Sequence, residues 1–346
     1  MALDEAPPFW WKRPGPLAFL LSPIGFLWGR ATAVRMSLPP DASVSVPVLC
    51  IGNFIAGGAG KTPTAIAFGK SAAARKIPFG FLSRGYGGQY KGPTVVNLKK
   101  HHAADVGDEP LLLAKHGKTV VSADRYAGAS MLVAEGCKLI IMDDGFQNPS
   151  IAKDFSLVVV DAKRGTGNGF SIPAGPMRAP LAAQLAYADA VLVIGDSRAG
   201  DQIIRQVARR GKLLHTARIV PKAIRKWKGK KFFAFAGIAD PDKFFISLKK
   251  AGSIVEVRRS FPDHHAYTDE EANDLVREAQ SRELQLVTTS KDMARLAGVG
   301  EPQDQLISET IVFDVELEFD DPRATDLVLD ATLSAAEARL LRERSG

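Results

Sequence analysis

Short apolar runs alternate with longer mixed segments through residues 46–219 of the chain. These runs are VPVLCI, FGFLS, TVV, LIIMD, LVVVD, AVLVIGD and KLLHTARI. Strands that are apolar on both faces are typical of parallel sheets covered by helices, and the segments between them are long enough for those helices. The pattern predicts an α/β fold, with a mostly parallel sheet and helices on both faces.

A second group of elements follows a basic run at residues 222–231. The side chains of this run are expected to face either lipid phosphates or solvent. The stretches FFAFAGIADP, GSIVEVRRSF and LQLVTTS predict a smaller α/β unit, and TARIVP and TIVFDVELEF on either side of it can pair as a two-stranded bridge. The stretch 322–344 is rich in Ala, Leu, Arg and Glu, which predicts a helix that can return to the first domain. We therefore predict a first domain at 37–216, a smaller domain with a two-stranded linker at 217–318, and a C-terminal helix within 319–346.

The composition supports two domains with cores of their own. The chain has 346 residues, of which 46% are hydrophobic and 24% charged, and this excludes a disordered or fibrous chain. The net charge of +7 favours an anionic partner, which could be a nucleic acid, a phosphorylated metabolite or an acidic membrane surface. Cys50 and Cys137 lie in apolar runs and do not make a disulfide scaffold or a zinc site, so we expect a reduced, cytosolic setting.

Residues 1–36 form an amphipathic segment of aromatic, apolar and basic residues. Sixteen uncharged residues separate Arg13 from Arg30 and three prolines interrupt them, so we expect a stretch too short and too broken to span a membrane. The aromatic and basic side chains suit the boundary of an anionic bilayer, and the segment is predicted to lie on a membrane surface. The alternatives are a signal peptide and a helix that packs its aromatic face on its own domain. The aromatic residues are Phe9, Trp10, Trp11, Phe19, Phe26 and Trp28.

A glycine-rich loop follows the first apolar run. Between this predicted strand and a predicted helix ending near Arg75 stands GNFIAGGAGKT, the context of a phosphate-binding loop and of a P-loop NTPase-like sheet. Glycines let backbone N–H groups turn towards phosphates, Lys61 would reach the β- and γ-phosphates, and the Thr62 hydroxyl would hold Mg²⁺. Ile55 stands where the motif usually has its first glycine. The predicted nucleotide-binding residues are Ile55, Ala56, Gly57, Gly58, Ala59, Gly60, Lys61 and Thr62.

A second strand signature, KLIIMDD, ends in two carboxylates, Asp143 and Asp144. Apolar residues that lead into aspartate match the Walker B arrangement, which places a carboxylate beside the Mg²⁺ of the phosphate loop. Many strands end in aspartate, so this motif is informative mainly in combination with the phosphate loop upstream. Together the two motifs predict a nucleoside triphosphate as ligand.

Three further stretches carry candidate chemistry. Arg84 in SRGYGG could grip an anionic group, although a plain turn is the alternative. Asp108 and Glu109 precede a helical stretch, where they either complement the helix dipole or act as general base and metal ligand. His264 and His265 follow an aspartate in FPDHHAYT, and a carboxylate–histidine couple can take a proton from a sugar hydroxyl at neutral pH.

The order of these stretches resembles the tetraacyldisaccharide 4′-kinases, which phosphorylate the lipid A precursor in Gram-negative bacteria. Each stretch is weak alone, but the combination is specific and covers residues 46–296. The matching stretches are PVLCIGNFIAGGAGKTPT, FLSRGYGG, VGDEPLLLA, IIMDDGFQN, IPAGPMRAP, FAGIADPDKFF, FPDHHAYT and TTSKDMARL. The resemblance implies transfer of the γ-phosphoryl group of ATP to the 4′-hydroxyl of a tetraacylated, 1-phosphorylated glucosamine disaccharide. It also implies a kinase domain at 37–216 that docks on the cytoplasmic face of the inner membrane.

The resemblance also implies roles for single residues. It implies Asp108 as catalytic carboxylate with His264, chosen over His265, as its partner, and Lys61 as a catalytic cation. Mg²⁺ ligands would come from Thr62, Glu109, Asp143 and Asp144. From the residues themselves we expect Arg84 and Tyr86 to contact the substrate. Two positions depart from the family pattern, Asn148 in DDGFQN and Ser290 in TTSKD, and neither is expected to be catalytic.

Other function classes remain open from the residues alone. A phosphate loop also occurs in ATP-dependent ligases and in nonenzymatic nucleotide switches. Nucleic-acid binding is not expected, because aromatic and basic residues do not interleave along a recognised module. No protein partner is predicted.

Overall fold

The computed structural model describes residues 6–222 and 227–345, so positions 223–226 of the basic run lie outside the described residues, as do 1–5 of the predicted membrane segment. The described residues form thirteen strands in two sheets. The strands are β1 Val48–Asn53, β2 Phe79–Ser83, β3 Thr94–Val95, β4 Lys118–Val121, β5 Leu139–Asp143, β6 Phe155–Asp161, β7 Ala190–Ile194, β8 Leu213–Pro221, β9 Lys231–Ala236, β10 Ile254–Ser260, β11 Gln285–Thr288, β12 Thr310–Val312 and β13 Val315–Phe319.

Twelve α-helices accompany these strands in the described part of the chain, and a short 3₁₀ helix at Pro8–Trp11 precedes them. The helices are α1 Pro16–Ser37, α2 Lys61–Ala74, α3 Ala103–Val106, α4 Asp108–Ala114, α5 Arg125–Ala134, α6 Leu181–Tyr187, α7 Arg198–Arg209, α8 Pro241–Lys250, α9 Asp269–Ser281, α10 Ser290–Leu296, α11 Glu301–Glu309 and α12 Ala324–Ser345.

The larger sheet has nine strands in the order β13-β8-β7-β6-β1-β5-β2-β4-β3. All neighbours are parallel except the two edge pairs, β13 with β8 and β3 with β4. The central strands are buried on both faces because helices cover each side: α5, α6 and α7 on one, and α2 and α12 on the other. This confirms the predicted α/β fold. The phosphate loop follows β1, which lies between β5 and β6 near the middle of the sheet.

The smaller sheet has four parallel strands in the order β10-β9-β11-β12. Alternate residues of β9 point to opposite faces, so Phe233 and Phe235 enter one apolar cluster and Phe232 the other. This unit is inserted between β8 and β13, which pair in antiparallel register from Ala217 opposite Phe319 to Pro221 opposite Val315. The chain therefore passes between the two domains through two adjacent strands.

Helix α12 packs on the larger domain after the inserted unit. Val328 and Leu329 are buried in the same cluster as Phe68 of α2. The Arg339 guanidinium also donates to Asp154, at 2.8 Å from Nε to Oδ1, and the same carboxylate accepts the backbone N–H of Val48. Helix α12 is thus connected to strand β1 through the carboxylate of Asp154.

Helix α1 differs from its prediction. It runs without a break for 22 residues and is long and apolar enough, by length and composition alone, to cross a membrane, so the expectation of a stretch too short and too broken was wrong. Pro23 is accommodated because its missing N–H would have reached the carbonyl of Phe19, and the Ser22 hydroxyl donates to that carbonyl instead, at 2.8 Å. Three of the four buried residues of α1 are small, Ala18, Gly25 and Gly29, and a Cβ on Gly29 would lie 2.6 Å from Ser171 Oγ.

Two of the three aromatic side chains of α1, Phe26 and Trp28, point away from the domain. Phe26 and Trp28 are 65% and 56% exposed, and they do not pack on the body of the chain. Other members of the predicted aromatic set contact the protein's own domain, since the Phe19 ring packs edge-on against Phe170 with centroids 5.7 Å apart and Trp10 is buried.

Candidate functional site

The phosphate loop runs from the end of β1 to the first turn of α2. Gly57 and Gly60 have φ of 98° and 92°, which glycine adopts without strain. A Cβ on Gly60 would also lie 2.7 Å from Ile194 Cδ1, so a side chain there would displace Ile194 as well as strain the backbone. The loop surface from Ala56 to Thr62 faces a large cleft, with a volume of about 2940 Å³, between the two domains.

Ile55, a member of the predicted nucleotide-binding set, has its side chain turned away from the cleft. Its side chain is 2% exposed and belongs to the core of the larger domain, and its carbonyl accepts from Arg178 Nε at 3.3 Å. The Ala56 N–H is also engaged, by the carbonyl of Pro176 at 2.8 Å. The isoleucine that stands in place of the first glycine of the motif therefore packs in the core. The loop surface that faces the cleft begins at Ala56.

Lys61 and Thr62 lie at the amino end of α2, beside the carboxylates that end β5. The Thr62 hydroxyl lies 3.4 Å from Asp143 Oδ2, and Lys61 Nζ lies 3.6 Å from Asp144 Oδ2. Burial and the nearby Glu109 raise the pKa of Asp143 to about 7. Burial would also raise the pKa of Asp144, but Lys61 and Arg178 outweigh it and hold this pKa well below its usual range. The two neighbouring aspartates are thus held in different charge environments.

The oxygen atoms beside Thr62 fit a magnesium ion. Asp143 Oδ1 and Asp144 Oδ1 are buried, and neither has a hydrogen-bond partner within the described residues. Hard oxygen donors are the ligands that Mg²⁺ prefers, and Mg²⁺ in phosphate-loop sites keeps waters and substrate phosphates in its shell. Across residues 6–222 and 227–345, no group of three His, Cys, Asp or Glu side chains forms a complete cage.

Asp108 and His264 meet across the domain boundary. Asp108 begins α4 of the larger domain, His264 lies in the loop between β10 and α9 of the smaller one, and the imidazole Nδ1 is 3.2 Å from Asp108 Oδ2. The hydrogen bond to Asp108 raises the pKa of His264. Burial would raise the pKa of Asp108, but the bond from His264 and the charges of Lys291 and Arg295 hold it far below its usual value.

His265 turns away from this pair. Its Nε2 lies 2.8 Å from Glu271 Oε2, and its ring stacks on Phe261 with centroids 4.8 Å apart. Of the two adjacent histidines, the structure brings His264 to Asp108. His264 lines the cleft, whereas the Asp108 side chain is 3% exposed and lies behind the imidazole.

Two cations on α10 contact the acidic pair of α4, and sequence reasoning assigned neither of them. Lys291 Nζ lies 2.7 Å from Glu109 Oε1, and Arg295 Nη2 lies 2.8 Å from Asp108 Oδ2. The signal was present in TTSKDMARL, because residues four apart on a helix share one face. What the sequence could not show is that α10 of one domain faces α4 of the other. Arg178, in IPAGPMRAP, was also missed. It lies in the same domain as Asp144, 34 positions further along the chain, and pairs with it at 3.1 Å.

Arg84 and Tyr86 follow β2 and line the same cleft. Tyr86 is 71% exposed, and its ring lies 5.7 Å from that of His264. The opposite wall carries Lys243, which pairs with Asp161 across the domain boundary. The cleft therefore offers cations and an exposed ring to an anionic ligand that also carries apolar groups. Asn148 and Ser290 are occupied elsewhere: the Asn148 side chain accepts the N–H of Ser150, and Ser290 donates to Asp314.

The phosphate loop, the aspartates at the end of β5 and a carboxylate–histidine pair across a cleft define a nucleotide-dependent enzyme of the P-loop class. The family model described as tetraacyldisaccharide-1-P 4′-kinase matches residues 17–334. The tetraacyldisaccharide 4′-kinase of Agrobacterium fabrum is 47% identical over 343 residues, which are 99% of this chain and 99% of that protein. The one of Sinorhizobium fredii is 49% identical over 340 residues, 98% of each chain.

Among solved structures, LpxK from Aquifex aeolicus, crystallised in complex with ATP, matches with a TM-score of 0.71 and 24% identity. The match covers 92% of this chain and 99% of that one, so the whole two-domain fold is shared. The chain belongs to the tetraacyldisaccharide 4′-kinase family and is a kinase, which confirms the resemblance drawn from the motifs.

Proposed function

We propose that this chain transfers the γ-phosphoryl group of ATP to the 4′-hydroxyl of a tetraacylated glucosamine disaccharide 1-phosphate, giving the lipid A precursor lipid IVA. The observation that carries the proposal is the Asp108–His264 pair, which lies on the same cleft as the phosphate loop. The family names and the cationic lining of the cleft support it. A phosphorylated, acylated sugar needs both a cationic wall and room for apolar chains.

The chemistry is mostly positioning and charge neutralisation, as in other phosphoryl transfers. Lys61 and the amides from Gly57 to Thr62 would offset charge on the β- and γ-phosphates. A magnesium ion held by Thr62, Asp143 and Asp144 would neutralise further charge on the same phosphates. Glu109, predicted as a fourth ligand, is paired with Lys291 in this structure and lies next to Asp108.

The proton of the 4′-hydroxyl goes to the Asp108–His264 pair. The sequence assigned the base to Asp108, and the structure adds that the imidazole is the member of the pair at the cleft surface. We therefore treat the two residues as one proton acceptor. The raised pKa of His264 means that the pair holds the incoming proton well. Tyr86, whose ring lies beside that of His264, and Arg84, which lines the same cleft, are the proposed contacts for the disaccharide.

Helix α1 is the proposed contact with the membrane. Its exposed aromatic and apolar residues and the basic residues Lys12, Arg13, Arg30 and Arg35 suit the headgroup boundary of an anionic bilayer. A substrate with four acyl chains resides in such a bilayer. We propose that the kinase works at the cytoplasmic face of the inner membrane as a peripheral protein, where ATP is available.

A lipid-kinase assay tests this function. Purified full-length chain in detergent is incubated with labelled ATP and Mg²⁺, with and without the tetraacylated disaccharide 1-phosphate. We expect label in the lipid only when the acceptor is present. Label on a carboxylic acid in the presence of an amine would indicate a ligase instead. Slow release of phosphate that does not depend on the lipid would indicate a nucleotide switch.

A further inference from the structure

Arg295 of α10 lies buried between the two domains, with a side chain that is 5% exposed. Its Nε and Nη2 both donate to Asp108 Oδ2, at 3.0 and 2.8 Å. Its Nη1 donates to Asp292 Oδ1 at 3.0 Å and to the carbonyl of Gly237 at 2.5 Å. Every nitrogen of the guanidinium therefore has a partner, and one of those partners is the acid of the proposed proton-accepting pair.

A further partner of Arg295, the carbonyl of Gly237, connects it to His264. The carbonyl of Gly237 that accepts from Arg295 also accepts the backbone N–H of His264, at 3.2 Å. His264 has a φ of 58°, a left-handed conformation that a histidine keeps only when its surroundings hold it there. Arg295 thus bonds directly to Asp108 and, through one carbonyl, to the turn that carries His264.

Asp292 fixes the guanidinium in turn. Its side chain is fully buried, and its Oδ1 accepts from the Tyr267 hydroxyl at 2.9 Å and from the Gly237 N–H at 2.8 Å. Its Oδ2 accepts from the Thr289 hydroxyl at 2.6 Å. Because these donors come from three different segments of the smaller domain, the Asp292 carboxylate has one orientation, and Arg295 is held by it.

We propose that Arg295 is a positioning residue that sets Asp108 and His264 in register across the domain boundary. The inference rests on the proposed function, because it concerns the geometry of the same proton-accepting pair. Asp108 comes from one domain and His264 from the other, so their separation depends on how the domains meet. A planar guanidinium that bonds to both sides through rigid, paired contacts fixes that separation.

A lysine at position 295 cannot reproduce this set of hydrogen bonds fully. Its ammonium is a point charge and cannot make paired, in-plane bonds to Asp108 while it also reaches Gly237. It does retain the positive charge that offsets the buried carboxylate. A positioning role therefore predicts partial activity for Arg295→Lys, whereas a purely charge-balancing role predicts nearly full activity.

The test compares Arg295→Lys and Arg295→Met in the full-length chain in detergent, with Arg277→Met as the matched control. Arg277 lies on exposed α9, in a pair with Asp274, and contacts no part of the cleft. We expect Arg295→Met to lower kcat by about 100-fold, Arg295→Lys by about 10-fold, and Arg277→Met not at all, since misplacement by about 1 Å costs this much. The Kd of Mg-ATP, measured by calorimetry, should change less than about twofold, because Arg295 does not line the cleft that the phosphate loop faces. An unchanged kcat for Arg295→Met overturns the proposal, and so does a loss that appears only as a raised KM for ATP.

A double-mutant cycle tests whether Arg295 acts through Asp108, and Tyr267→Phe covers the case in which Arg295→Met folds poorly. If Arg295 acts through Asp108, Arg295→Met should lower kcat little further once Asp108→Asn is present, whereas independent effects would multiply and overturn the proposal. The milder Tyr267→Phe removes one donor to Asp292 and should lower kcat about threefold in a fully folded protein. A Tyr267→Phe protein that is folded and shows wild-type kcat counts against the network.

A spectroscopic readout does not need turnover. The chain has six histidines, so the ring resonance of His264 can be assigned by its loss in His264→Gln. It should shift in Arg295→Met and stay in place in Arg277→Met. An unmoved resonance contradicts the inference. If the wild-type chain failed to phosphorylate the lipid, the proposed function would fall, while a shifted resonance would still place His264 under the control of Arg295.

Discussion

Lys291 of α10 and Glu109 of α4 form an ion pair of 2.7 Å that joins the smaller domain to the larger one. The adjacent pair of Arg295 with Asp108 makes the same connection one helical turn away. Two neighbouring acids of one domain thus face two cations of the other. Two ion pairs therefore join the domains at the place where we propose that the proton is transferred.

Substitution of Lys291 should lower the stability of the nucleotide-free protein. We expect Lys291→Met to lower the free energy of unfolding by roughly 1 to 2 kcal/mol, because Glu109 then keeps a charge with no partner. Urea denaturation measures the change. The double variant Lys291→Met with Glu109→Gln should regain most of the loss, and equal losses in the single and double variants would contradict the coupling.

Asp108→Ala should abolish most of the turnover. General-base assistance contributes about 10²- to 10⁴-fold, so we expect kcat to fall at least tens-fold, with a smaller change in the KM for ATP. Because Asp108 and His264 act as one acceptor, His264→Gln should lower kcat to a similar level, and the double variant should be little worse. Asp274→Asn, on the exposed face of α9, is the matched control. Near-normal turnover in Asp108→Ala would remove its proposed role.

Lys61→Ala should damage both nucleotide binding and turnover. Lys61 faces the phosphate site in the ground state and during transfer, so its loss raises the KM for ATP and lowers kcat together. Calorimetry with Mg-ATP should show weakened binding, and Lys249→Ala on α8 should bind normally. Unaltered binding in Lys61→Ala would mean that the triphosphate lies elsewhere.

Changes in α1 should affect membrane binding before they affect folding. We expect Phe26→Ser combined with Trp28→Ser to reduce co-sedimentation with anionic liposomes several-fold, because both rings are exposed and make no core contact. Removal of residues 1–36 should reduce it further. The thermal midpoint of the double variant should match the wild type, and sedimentation unchanged in both proteins would exclude the helix as the membrane contact.

The Arg339–Asp154 pair should be important for stability. Asp154 is 1% exposed at its side chain, so Arg339→Ala leaves a buried carboxylate short of donors and should cost about 3 kcal/mol of unfolding free energy. Arg342→Ala, one turn further on the exposed face, should cost less than about 0.5 kcal/mol. Denaturant midpoints compare the two, and equal losses would show that the helix end, rather than the pair, is responsible.

The sequence predicted those features that depend on neighbours in the chain. Apolar runs identified the strands, and the phosphate loop was visible because strand, glycines, Lys61, Thr62 and helix are contiguous. Ile55 shows where such reasoning stops, because a loop residue can face either the cleft or the core, and only the bridge to the segment around Met177 decides which.

The residues that were missed act over long distances in the chain. Lys291 and Arg295 are separated from Glu109 and Asp108 by 182 and 187 positions. No local pattern tells which acids they meet, since that depends on how two separately folded units face each other. The unbroken course of α1 was missed for a different reason, because Pro23 predicts a break unless the rescue of the Phe19 carbonyl by Ser22 is foreseen.

The return of α12 to the larger domain has a consequence for synthesis. Strand β1 and helix α2 are among the first parts to be translated, yet part of the surface that buries them is supplied by residues 324–345. The inserted unit can fold as soon as its own strands have left the ribosome, whereas the larger domain must wait with an uncovered apolar face until translation is nearly complete. During that interval we expect the nascent larger domain to be more exposed to aggregation than the inserted unit.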